Sequence, residues 1–160
     1  MKRQIAALAL AASTLPAAGA DPDPCRLLTP AEIAAALGAQ AADGKAGGPK
    51  IEDGVKAWHC DRQVGRYYFS VNAYEFASSA AAKRGLAEAL AEAKGTVELG
   101  PATGVGDVAA WGADEDGAMW LAVKGRYMAN VTVAGELKNP QSMREPLRRL
   151  VAQALARLVP

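Results

Sequence analysis

Two cysteines, Cys25 and Cys60, and a single histidine, His59, set the reach of any chemistry in this 160-residue chain. One histidine removes multi-histidine metal sites and most histidine-dependent catalytic triads. If Trp58 and Cys60 point inward on a strand, His59 and Asp61 point outward, as a plain surface pair or a weak metal contact. Ser70, Ser78 and Ser79 have no nucleophile-elbow glycines around them. The turn Gly104-Val105-Gly106-Asp107 has neither the Lys-Ser/Thr ending of a phosphate loop nor a following helix pattern, so its glycines shape a turn and Asp107 bonds the local backbone. The acidic run Asp114-Glu115-Asp116 lacks the spaced ligands of a calcium loop and reads as a hairpin tip.

What remains is a row of alternating residues, Tyr68, Ser70, Asn72 and Tyr74, with Trp111 as a further member. Aromatic rings beside small hydroxyl and amide groups suit a ligand or partner surface, and they also make ordinary cross-strand pairs. No catalytic set, metal or cofactor is expected. Glu75 and Asp107 are the carboxylates an enzyme would have to use.

The setting follows from the amino-terminal segment and the charge. Met1-Lys2-Arg3, an apolar run over residues 5–15 and Ala18-Gly19-Ala20 have the three parts of a secretory signal, so residues 1–20 are expected to be removed. The run is too short for a span, which needs about 20 apolar residues. Asp21-Pro22-Asp23-Pro24 before Cys25 is no lipidation site, and no membrane anchor is expected after cleavage. Residues 21–160 then form one domain with 16 basic against 17 acidic side chains, which argues against a nucleic-acid partner. A periplasmic or secreted chain meets an oxidising compartment, so Cys25 and Cys60 are read as one disulfide, worth roughly 4 kcal/mol by loop entropy. The alternative is two free thiols holding a metal with His59.

Three helices and five strands, with a further short one at 96–99, must position these groups. Thr29, Pro30 and Glu32 open a helix with a capping box and Gly38 closes it. Residues 39–54, poor in large apolar side chains, read as a mobile loop with at most a short strand near Ile51. Residues 58–64 and 67–76 are strands about a Gly65-Arg66 turn, with Phe69, Val71 and Ala73 on the core face. A helix spans 77–94, capped by Ser78 or Ser79, stopped by Gly95 and weakened by Gly85. A short strand at 96–99 ends at Gly100-Pro101. Residues 104–111 lead into the next strand, and 112–117 form an acidic loop. Strands 118–124 and 127–134 pair about Gly125-Arg126 with Trp120 opposite Val131 and Ala122 opposite Ala129. A last helix opens with a capping box from Ser142 to Glu145 and buries Leu147, Leu150, Val151, Ala154, Leu155 and Leu158. The expected class is α+β, a mainly antiparallel sheet flanked by helices in the order α-β-β-α-β-β-β-α, with one disulfide.

The pattern Cys25-x-Leu-Leu-Thr-x-x-Glu-Ile, then Leu37-Gly38, Cys60 and Gly104-Val-Gly-Asp-x-Ala-x-Trp111 before a hairpin and a final helix resembles a family of small exported or lipid-anchored bacterial domains of unknown function. The resemblance implies a fold similar to the PsbP/Mog1 type and transfers no catalytic residue. The functional expectation is a monomeric, non-catalytic binding or protein-interaction domain for an unknown protein or small-molecule ligand. A small envelope enzyme and an inhibitor or regulator of an envelope protein are the alternatives.

Overall fold

The computed structural model describes residues 21–93 and 98–159. The expected leader, residues 1–20, lies outside the described residues. After a 3-10 turn at Pro24–Arg26, the elements are α1 (Pro30–Leu37), β1 (Lys45–Glu52), β2 (Val55–Val64), β3 (Tyr67–Glu75), α2 (Ser79–Glu92), β4 (Gly100–Ala102), β5 (Val108–Asp114), β6 (Gly117–Lys124), β7 (Tyr127–Ala134) and α3 (Arg144–Leu158). They form an α+β fold around one antiparallel sheet of order β1-β2-β3-β7-β6-β5-β4. Two meanders, β1-β2-β3 and β4-β5-β6-β7, are thus joined at the centre by β3 and β7. The register there matches like with like, Val71 to Val131 and Asn72 to Asn130.

Alternation decides the two faces. Trp58, Cys60, Val64, Phe69, Val71, Trp111, Trp120, Val131 and Val133 are buried on the face that α1 and α3 cover. On the other face Leu121, Val123 and Met128 are buried beneath Ala82 and Leu86 of α2. Both central hairpins turn on the same Gly-Arg-Tyr triplet, with Gly65 at φ 55° and Gly125 at φ 57°. In each the arginine lies over the next tyrosine ring, Arg66 at 5.1 Å and Arg126 at 5.4 Å from the centroid.

The 118–134 hairpin has the expected register, and α3 buries all six expected side chains. Elsewhere the expectations need correcting. Half of residues 39–54 are strand, because β1 bonds the β2 backbone although its side chains lie out in solvent. Its turn into β2 is Asp53-Gly54, both at positive φ. Thr96 and Val97 lie outside the described residues, whereas Gly100 and Pro101 belong to β4, an edge strand where a missing N–H is tolerated. The acidic loop shrinks to Glu115-Asp116, because Asp114 Oδ1 accepts the N–H groups of Asp116 and Gly117 and closes a tight turn. The order therefore gains one strand in each half. The capping box at Ser142 does not form: the Ser142 hydroxyl donates to Asn139 O inside a 3-10 turn, and Glu145 pairs with Arg148. Gly85 has a packing reason, since a Cβ there would stand 2.7 Å from the Phe76 ring.

The capping box of α1 does form, and it has a second use. Glu32 Oε2 accepts the Thr29 N–H at 2.9 Å, while Thr29 Oγ1 accepts that of Glu32. Arg157, in the last turn of α3, donates to Leu27 O at 2.7 Å and to both Glu32 carboxylate oxygens. The Arg157 bonds, reinforced by those from Thr29 and opposed by burial, pull the Glu32 carboxyl down to about 2. A carboxyl depressed in the folded state stabilises fully above its unfolded value of 4.5 and loses that contribution as pH falls towards about 2. Since Arg157 is well exposed, Glu32→Gln is expected to cost only about 1 kcal/mol near neutrality. The cost should vanish below pH about 2 in urea titrations across the acid range; a constant difference would remove the ion pair as its cause.

Candidate functional site

Helix α2 contacts β5, β6 and β7 and leaves the β1-β2-β3 side of its face open. The rows there, partly exposed until they run beneath α2 at Leu121, follow from period-two alternation and register. Asp61 of β2, Ser70 of β3, Thr132 of β7 and Met119 of β6 stand side by side, and the next row is His59, Asn72, Asn130 and Leu121. Asn72 Nδ2 donates to Ser70 Oγ at 3.1 Å, and Thr132 Oγ1 donates to Asn130 Oδ1 at 2.9 Å. The middle of the face is thus a field of amides and hydroxyls bonded along their own strands.

Two hollows flank it. One, of about 400 Å³, is lined by the Gly48-Pro49-Lys50 bulge of β1 with Ala57, Trp58, His59, Asn72 and Tyr74. The register of β1 slips between Gly47 and Lys50, which opens this hollow beside β2. Gly47 leaves room for the His59 ring, which a Cβ there would overlap. Beside the hollow, burial raises the Tyr74 phenol above its ordinary value. The second hollow, about 180 Å³, lies between Asp114, Asp116, Met119 and Thr132.

Of the expected site residues, Tyr68, Ser70, Asn72 and Tyr74 share this face. Tyr68 is 48% exposed, and its phenol is raised chiefly by its hydrogen bond with Asp61. Trp111 does not join them. It lies on the opposite face, three strands away, packed 5.8 Å from Trp120, because the pairing Trp111–Trp120–Val131–Val71 puts it in the core row. Asn130, Thr132 and Lys50 complete the face and were missed: the first two adjoin Asn72 and Ser70 only through the β3–β7 pairing, and Lys50 only through β1.

The carboxylates are occupied structurally. Glu75 pairs with Arg126 at 2.8 Å, and Asp107 Oδ2 accepts the Gly125 N–H at 2.9 Å. Asp107 therefore bonds the next hairpin turn, not its own. His59 Nε2 is 3.9 Å from Asp61 Oδ2, and Ser70 Oγ is taken by Asn72, so no Ser-His-Asp relay is assembled. Cys25 and Cys60 form a disulfide with Cα atoms 5.1 Å apart, which removes the two-thiol metal site. No helix among the described residues is long and apolar enough to cross a membrane.

No protein-family model and no curated protein sequence matches the chain.

Proposed function

We propose that this is an exported, non-catalytic binding domain whose recognition surface is the open face of β1, β2, β3 and β7. The observation that carries the reading is the half-covered sheet: α2 shelters the apolar β5-β6-β7 side, while the amide and hydroxyl rows beside it stay open and end in a 400 Å³ hollow under Tyr74. The groups on offer are neutral donors and acceptors, Ser70, Asn72, Asn130 and Thr132, with the charges at the margins, Lys45, Lys50 and Asp61 on one side and Asp114 and Asp116 at the second hollow. That chemistry fits an uncharged polar ligand, a hydroxyl- or amide-bearing small molecule, better than a phosphate or a metal. The leader pattern and the disulfide support export, and the motif resemblance to small exported bacterial domains points the same way.

A screen of small polar fragments read by amide chemical shifts tests it. Perturbations are expected to gather on residues 47–50, 57–59, 70–74 and 128–132. The pair Asn72→Ala and Tyr74→Ala should weaken the best fragment by about tenfold or more, about 1.4 kcal/mol. Fragments that collect on the α1/α3 face, or that bind the double variant unchanged, would remove this surface from the proposal.

A further inference from the structure

Arg62 is the one charged side chain that is buried among the described residues, at 4% exposure. It extends from β2 on the core face, two residues beyond Cys60. Its Nη2 donates to Cys25 O at 3.3 Å and to Cys60 Sγ at 3.2 Å. Nε and Nη1 have no partner among the described residues. Burial lowers its pKa, opposed by the field of Asp43. A guanidinium taken from water without a carboxylate is a costly thing to keep in a core. A disulfide sulfur, uncharged and a weak acceptor, offsets little of that cost.

We propose that Cys25–Cys60 is a thiol–disulfide exchange site for a dithiol partner, with Arg62 stabilising the Cys60 thiolate. The reduced state supplies what the oxidised state lacks. A thiolate at Cys60 places a full negative charge on a donor already 3.2 Å away. The two sulfurs are also unequal: Cys60 is fully buried, while Cys25, in the middle of the 3-10 turn, keeps some exposure. Gly44 lies against both, since a Cβ there would overlap Cys60 Sγ and stand 2.8 Å from Cys25 Sγ. The other charged groups nearby are Asp23 and Arg26, which pair with each other at 3.5 Å, and Asp43; Arg62 is the cation that reaches a sulfur.

The exchange is then directional. A partner thiolate attacks Cys25 Sγ, a partner–Cys25 disulfide forms, and the Cys25–Cys60 bond breaks with its electron pair leaving on Cys60, against Arg62. The partner's second thiolate attacks its own sulfur in the mixed disulfide and expels Cys25 as a thiolate, which takes up a proton. Two electrons pass from the dithiol to the cystine, and the partner departs as a disulfide. A stabilised leaving thiolate speeds the first step and raises the reduction potential of the pair.

The test compares the chain with Arg62→Met and Arg62→Lys after reduction by dithiothreitol. In the reduced wild type, ultraviolet thiolate absorbance should show one cysteine titrating about one unit or more below the ordinary value of ~8.5. Arg62→Met should return that midpoint to the ordinary range, and Arg62→Lys should keep it low. Above both midpoints, Arg62→Met should shift the dithiothreitol equilibrium about tenfold towards the disulfide, about 30 mV. Matching midpoints and equilibria in wild type and Arg62→Met would overturn the proposal. So would loss of the near-ultraviolet dichroism of the wild type on reduction, because exchange needs two folded states.

Discussion

Replacing Cys60 with serine is expected to lower the free energy of unfolding by roughly 4 kcal/mol, the largest single loss short of emptying the core. The bond joins residues 35 apart in sequence, so its removal frees a long loop in the unfolded chain. In the folded state the change is smaller. Leu27 and Leu28 stay buried beside Ile33, and Arg157 still holds Leu27 O. The variant should therefore remain folded while its urea midpoint falls with little change in slope. Cys25→Ser should match it, and the double variant should cost no more than either alone. A loss below about 1 kcal/mol would mean that packing already confines the 3-10 turn in the denatured ensemble.

Trp120→Ala should cost about 3–5 kcal/mol. Trp120 is fully buried at the centre of β6, packs on Trp111, and donates from Nε1 to Arg144 O at 2.9 Å. That bond fixes the first turn of α3, where no side chain caps the helix. Truncation thus opens a cavity and releases a helix end together. Trp120→Phe separates the two, keeping most of the bulk and losing the hydrogen bond, for about 1 kcal/mol plus the smaller ring. Equal losses in the two variants, measured by denaturant unfolding, would show that the hydrogen bond and not the packing dominates.

Those two residues also show what could be read from the chain. The register that sets Trp120 against Val131 was legible because Gly125-Arg126 leaves two turn residues between alternating strands. The buried stripe of α3 was legible for a similar reason, since 3.6-residue spacing survives without knowledge of its neighbour. Strand β1 was not, because Lys45–Glu52 carries no apolar alternation and is held by backbone bonds to β2; the Asp53-Gly54 pair was the available sign. The polar face was half legible. Alternation groups Tyr68 with Tyr74 but cannot say that Asn130 lies beside Asn72, or that Trp111 faces away, until the non-local β3–β7 pair is known. Arg62 was within reach: a strand with Trp58 and Cys60 inward must also turn position 62 inward.

The clasp between Arg157 and the first helix carries a consequence for synthesis. The central strands β3 and β7 meet across residues 76–126, and α3 roofs β6 and β7 with side chains made after every strand. A nascent chain has, until the last turn of α3 emerges, a sheet with one bare oily side and an opening helix without its anchor. Assembly of this body therefore waits for α3, and a polypeptide that has not yet reached that helix stays pliable throughout.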